Sequence, residues 1–300
     1  MRIRAARPED LDAIAAFTQE TWDRYDDGDY IARIFPKWAV EQGPKKKTFV
    51  AEAAGQPIGL IRSVKLSAHE AWFQGLRVDP EHRNEGVGEA LVHTAFEWAQ
   101  EAGATVGRAM VFSWNVMGLG LTRAAGFEPG VEFRFAHPVP DSTAEVAGSV
   151  SDAPDRAWSF WHASAHRDRL QGLCLDQEVP WSLSELTRGD LRQIAASESL
   201  VTIERDRVVA MAPRIRVTDR GPAEDTIWAE YGAAAWRDEA AAGDLMAAIA
   251  RDAAAAGADR TRVLIPETPA AVTAVAANRF ELAEEPHFIV RVDLTRDSFS

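Results

Sequence analysis

The run Arg83-Asn-Glu-Gly86-Val-Gly88 has the residue types of an anion cradle. Gly86 and Gly88 carry no Cβ, so a ligand can approach the main chain closely there. A helical pattern follows at once, with Ala90, Leu91, Ala95 and Phe96 as its apolar residues. The first turn of a helix offers N–H groups without intrahelical partners, and its dipole favours negative charge. The chemistry on offer is capture of a pyrophosphate. A Walker loop needs Lys-Ser/Thr after its last glycine, where this chain has Glu89-Ala90. A Rossmann loop needs a third glycine, where this chain has Leu91.

The elements that must position this loop are legible on both sides. Ala71, Phe73 and their neighbours run as a strand to Val78, and Asp79-Pro80 stops it, because proline fixes φ and offers no N–H. The glycines therefore lie between a strand end and a helix N-terminus. Arg-x-x-Gly-x-Gly in that setting resembles the acyl-CoA loop of the GNAT family, the acetyl-CoA-dependent N-acetyltransferases. A second stretch, Asn115-Val-Met-Gly-Leu-Gly-Leu-Thr-Arg-Ala-Ala-Gly126-Phe127, resembles that family's later signature, an Asn opening a short helix that ends in Gly-Phe. The two lie in the family's order and cover about residues 2–138. The resemblance implies an α/β (α+β) fold, with a mixed, mostly antiparallel sheet flanked by helices. It also implies acetyl-CoA as acyl donor and a primary amine, on a small molecule or a peptide, as acceptor.

Composition sets outer bounds. Three hundred residues suit two domains. No apolar run approaches the roughly 18 residues of a membrane span, and Met1–Asp10 lacks the apolar core of a signal peptide. Cys174 stands alone, so no intrachain disulfide forms, which fits a reducing cytoplasm. A net charge of −13 argues against a nucleic-acid partner.

Along the chain, residues 2–6 read as a strand. Helices follow from Pro8 and from about Tyr30 to Glu41, and by resemblance these two segments wall the acceptor site. Gly43–Lys47 reads as a loop whose lysines face solvent or a CoA phosphate. Two hairpin strands turn at Ala54-Gly55-Gln56. After the glycine loop come a helix to about Ala102, a strand over Arg108–Ser113 and the Asn115 helix. Residues 139–152, polar and rich in small side chains, read as a linker with part of it able to pair as an edge strand.

Residues 153–300 repeat the first half weakly. Phe49, Glu101 and Gly126 match Leu200, Ala255 and Arg279, each pair 151 to 154 residues apart. At the same offset the cradle aligns with Arg237-Asp-Glu-Ala-Ala-Ala242, and Ala240 and Ala242 replace the two glycines. The expectation is a GNAT domain over 1–138 with an intact acetyl-CoA loop and a degenerate, CoA-free copy over 153–300.

The resemblance also assigns roles. Backbone N–H groups of Leu76, Arg77 and Val78 would bind the acetyl carbonyl and pantetheine. Those of Asn84, Glu85, Gly86, Val87, Gly88 and Glu89 would hold the pyrophosphate. Arg83 would fix the loop or pair with phosphate. Asn115 would bond pantetheine or a strand carbonyl. Two sources of the general base stand: Glu70, or a water oriented by Gln74. By strand alternation Glu70, Trp72, Gln74 and Leu76 share one face. The family's usual proton donor to sulfur is a Tyr, and its position holds Thr122. A hydroxyl of that kind is a far weaker acid than a phenol of pKa about 10, which leaves water or Ser113 as alternatives. It also keeps open a non-catalytic acyl-CoA-binding sensor or interaction protein.

The remaining candidates read as structural. His162 and His166 have a helical metal-binding spacing but no third ligand. His82 and His93 flank the cradle as surface residues. Trp22 and Trp38 pack or line the acceptor side, and Cys174 is a small buried residue.

Overall fold

The computed structural model describes residues 1–19, 29–218 and 226–295. They form two compact units. The first comprises Met1–Val111, Asn115–Gly130 and the C-terminal stretch from Ile289; the second comprises Phe112–Trp114 and Val131–Phe288. Neither unit is continuous in sequence. The segment read as a linker lies inside the second unit, where its strand Ser149–Ser151 pairs with Thr202–Glu204.

The first unit starts with β1 (Arg2–Ala5), α1 (Leu11–Thr18) and α2 (Ile31–Val40). It continues with β2 (Lys46–Ala53), β3 (Gln56–Lys65) and β4 (Glu70–Val78), then α3 (Val87–Glu101), β5 (Val106–Phe112) and α4 (Val116–Ala124). Lys46 and Lys47 thus open a strand and do not sit in a loop. The strands run in the order β1-β2-β3-β4-β5. The first three pairings are antiparallel and β4–β5 is parallel. A parallel pair needs a crossover, and α3 supplies it. Phe96, Leu91 and Ala95 of α3 pack with Phe73 and Phe127 in one core cluster. Val290, Val292 and Leu294 belong to that same cluster.

The second unit takes most of β6 (Glu128–His137), then β7 (Ser149–Ser151), α5 (Pro154–His162), α6 (Ala165–Arg169), β8 (Leu173–Leu175), β9 (Leu183–Glu185) and α7 (Arg188–Ala196). After these come β10 (Leu200–Glu204), β11 (Val208–Val217), β12 (Trp228–Tyr231), β13 (Ala235–Trp236) and α8 (Glu239–Ala255). The chain closes with β14 (Arg260–Pro266), α9 (Pro269–Ala277), β15 (Glu281–Leu282) and β16 (His287–Asp293), of which Ile289 onward belongs to the first unit. The unit's order is β7-β10-β11-β12-β14-β6, again antiparallel until one parallel pair, β12–β14, which brackets the long helix α8. Each unit is therefore a mixed, largely antiparallel sheet with helices against it. Among the described residues no helix is long and apolar enough to cross a membrane.

Candidate active site

In the first unit β4 and β5 pair from Glu70–Val106 to Phe73–Ala109, and the pairing stops there. Residues 74–78 continue β4 with no partner in β5. The cause lies on the other edge. The β3–β4 register shifts between Leu60 and Arg62, so one extra residue of β4 bulges at Gly75. Gly75 has φ +68°, a conformation that costs glycine little. A Cβ there would lie 2.6 Å from Trp38 Cζ3.

The bulge corrects the expected strand face. Ala71 and Phe73 pack into the α3 core, and beyond the bulge Leu76 and Val78 pack there too. Leu76 has left the face of Trp72 and Gln74, because one inserted residue reverses the alternation. Arg77 points the opposite way, toward the start of α2. Its guanidinium bonds Asp29 at 2.5 and 3.3 Å and lies 5.7 Å from the Tyr30 ring centre.

Beyond β4, the Asp79 side chain accepts from Glu81 N and caps a short turn at Pro80–His82. Asn84 (φ +63°) and Gly86 (φ +78°) then reverse the chain. Gly86 is the N-cap of α3 and no side chain caps the helix. Its missing Cβ faces open space, so the glycine is required for its φ and leaves an approach to the first-turn N–H groups. Gly88 serves packing: a Cβ there would lie 3.0 Å from Leu121 Cδ2 of α4. His82 Nδ1 sits 3.0 Å from Glu85 Oε2, and that carboxylate raises the imidazole pKa. Asn115 caps α4, its Oδ1 accepting from Gly118 N at 2.9 Å. The Thr122 hydroxyl donates to Leu119 O one turn back.

On the acceptor side Glu70 is buried. Its carboxylate accepts from the Arg108 guanidinium and from Ser67 Oγ at 3.0 Å. Gln74 is half-buried. Four residues of strand, roughly 13 Å, separate it from Glu70. Trp38 is buried against Gly75 and beneath Arg62, whose Cζ lies 5.2 Å from its ring centre. Trp22 lies outside the described residues. Asp29, Arg108 and the Gly75 bulge were missing from the sequence reading; a glycine inside a strand pattern was the available signal for the last.

In the second unit the helix between the parallel strands begins differently. The N-cap of α8 is Asp238, whose carboxylate accepts from Ala241 N at 2.9 Å and pairs with Arg237 at 3.1 Å. The Ala241 N–H, followed by Arg237, holds that carboxyl below its ordinary pKa. Ala242 is buried inside the helix. Past the β12–β14 pairing, Ala234 N donates to Leu264 O at 3.3 Å, bridging the two strands beyond the register where their ladder ends. Cys174 is buried, and burial pushes its thiol pKa up.

His162 and His166 do not share a helix. The chain breaks at Ala163-Ser164 between α5 and α6, so His162 stacks on Trp158 and His166 packs against Trp236. Among the described residues no group of three His, Cys, Asp or Glu side chains could hold a metal ion.

Residues 11–127 match the model of the Acetyltransferase (GNAT) family. Among curated proteins none matches significantly. Similar solved structures include a GCN5-related N-acetyltransferase from Sphaerobacter thermophilus, with TM-score 0.62, 14% identity and 98% of this chain and 95% of that chain covered. A presumed acetyltransferase from Thermoplasma acidophilum gives TM-score 0.56 at 16% identity, covering 98% of this chain and 100% of that one. A presumed acetyltransferase from Pyrococcus horikoshii gives TM-score 0.53 at 14% identity, covering 97% and 89%. At these identities the likeness is one of fold.

Proposed function

We propose that this chain, which carries a GNAT-family domain over residues 11–127, transfers an acetyl group from acetyl-CoA to a primary amine in its first unit. The observation that carries this reading is the pairing of an open strand edge with an open helix N-terminus. Residues 74–78 have no β5 partner, and α3 begins at Gly86 without a side-chain cap. One offers N–H groups to a carbonyl and a pantetheine chain, the other to a pyrophosphate.

Acetyl-CoA would supply the acyl group as a thioester. The N–H groups of Leu76 and Val78 would orient it, that of Arg77 facing β3 by alternation from the Asp79 N–Ile58 O bond, and a donor aimed at the carbonyl oxygen stabilises the charge that develops there. The amine nitrogen forms the C–N bond, the C–S bond breaks, and the thiolate leaves. One proton must leave the amine and one must reach sulfur. Gln74 lies beside the gap on the acceptor face and would orient a water for the first task. Glu70, roughly 13 Å along the strand and bonded to Arg108, would hold that face, the amine's proton would leave through that water to solvent, and water would protonate the thiolate. Residues Asn84 to Glu89 would cradle the pyrophosphate with Arg83 at the loop's start. Asn115 would complete the pantetheine wall from α4. The second unit, with Asp238 and Ala234 closing its counterpart positions, would bind no acetyl-CoA.

A second reading rests on Thr122. Its hydroxyl already donates within its own helix, which leaves the departing sulfur without a strong acid and favours a binding protein over an efficient catalyst. A free-thiol release assay with acetyl-CoA and a panel of amines and peptides separates the two. Turnover that vanishes in Gly86→Trp supports transfer. Binding of acetyl-CoA without turnover on any acceptor supports the sensor.

A further inference from the structure

The loop that would take the pyrophosphate is poor in positive charge. From Asp79 to Glu89 four carboxylates, Asp79, Glu81, Glu85 and Glu89, stand against one guanidinium, that of Arg83. Glu85 is the sharpest conflict, since it directly precedes Gly86, the N-cap of α3. A carboxylate there repels the anion that the first-turn N–H groups attract.

His82 answers it. The turn at Pro80–His82 is held by the Asp79 cap and by His82 N, which donates to Asp79 O at 2.9 Å. Asn84, at φ +63°, then folds the chain back. Glu85 thereby returns to the imidazole, with Nδ1 at 3.0 Å from Oε2. A charged imidazole donates from both nitrogens, so it cancels the Glu85 charge while holding that carboxylate at Nδ1. A neutral ring still holds Glu85 through Nδ1–H, but the carboxylate keeps its charge and Nε2 becomes an acceptor. The pair is open to solvent, with 34% of the His82 side chain and 58% of the Glu85 side chain exposed. The hydrogen bond with Glu85, and then the charges of Glu85, Asp79 and Glu81, raise the imidazole pKa above its ordinary value. That carries the charged form toward neutral pH.

We propose that His82 is a positioning residue for the donor phosphates: protonated, it neutralises Glu85 and holds it beside the cradle, and on losing its proton it returns a bare negative charge to the loop, so that acetyl-CoA binds more weakly as pH rises. The proposal rests on the donor-site reading above. The coupling is reciprocal, so an anion seated in the loop favours the charged ring and takes up a fraction of a proton as it binds.

The test is isothermal titration of acetyl-CoA into the full chain at pH 6 and pH 8.5, for the native sequence, His82→Gln, Glu85→Gln and the double variant. The ligand's own 3′-phosphate titrates at roughly pH 6, as phosphate monoesters do, and that contribution is common to all four chains. Between the two pH values the native affinity should fall about five-fold more than that of His82→Gln, the effect of one unit charge near phosphate in water. His82→Gln should already be weak at pH 6, and adding Glu85→Gln should restore its affinity. A His82 that only shapes the turn would give an equal loss at both pH values, unrepaired by the Glu85 change. That result, or the same pH slope in the native chain and His82→Gln, overturns the proposal and leaves the donor site standing. Acetyl-CoA that fails to bind the native chain at either pH, or that still binds Gly86→Trp, overturns the donor site and the proposal with it.

Discussion

Gly86 and Asp238 hold the same place in the two units, the N-cap of the long helix that crosses over beside the parallel strand pair. One leaves the helix end open. The other fills it with a carboxylate bonded to Ala241 N. A phosphate and a carboxylate compete for the same N–H groups and the same dipole, so the second helix carries its own anion.

Asp238→Ala removes a cap and should destabilise the chain by about 0.5–2 kcal/mol, read by urea unfolding. It should not create a second acetyl-CoA site, because the Ala234–Leu264 bridge still spans the strands. A gain in binding stoichiometry would contradict this account of the second unit.

Gly75→Ala tests the bulge. The new methyl would lie 2.6 Å from Trp38 on a backbone at φ +68°. Overpacking and strain of this kind cost about 1–3 kcal/mol each. The variant should lose thermal stability and acetyl-CoA affinity together. A variant as stable as the native chain, with intact binding, would mean that the bulge shapes nothing.

The first unit should depend on the end of the chain. Leu294 is buried in its core, Leu294 N donates to Thr105 O, and Gln100 Nε2 donates to Leu294 O. Leu294→Ala should cost about 2–5 kcal/mol and weaken acetyl-CoA binding. Residues 1–138 expressed alone should fail to give a cooperative unfolding transition; a sharp transition from that fragment would refute the dependence.

Stability should fall in mild acid. Burial, aided by the charge of Arg134, pushes the His287 pKa down to about 4. Its Nδ1 finds no hydrogen-bond partner among the described residues. The unfolded ring titrates near 6.5. Below that pH the unfolded chain binds a proton that the native state refuses, so stability is complete above about 6.5 and drains away toward 4. The loss is on the order of 3 kcal/mol. His166, also lowered to about 4 by burial, contributes the same sign. His287→Phe, among Phe112, Phe133 and Phe135, should flatten the slope of unfolding free energy between pH 5 and 7. An unchanged slope would place the titration elsewhere.

What the sequence made legible was local. The glycine loop, the strand before it and the helix after it are neighbours in the chain, so residue types alone placed them. The alignment that set Ala240 against Gly86 passed over Asp238, two residues earlier, which is the residue that caps α8. The alternation over 70–78 misplaced Leu76, because a bulge depends on how two strands register. Asp29 reaches Arg77 across 48 positions, and Leu294 reaches Gln100 across 194. Contacts at such separation leave no periodic trace.

Isothermal titration of acetyl-CoA into the full chain, repeated with Gly86→Trp, tests the central claim most directly. The Gly86 Cβ position is open but its backbone has φ +78°, so the tryptophan displaces no packed atoms and disables the cradle both by strain on that backbone and by blocking approach. The account predicts one site in the native chain and none in the variant. Two sites, or one that survives the substitution, would contradict it.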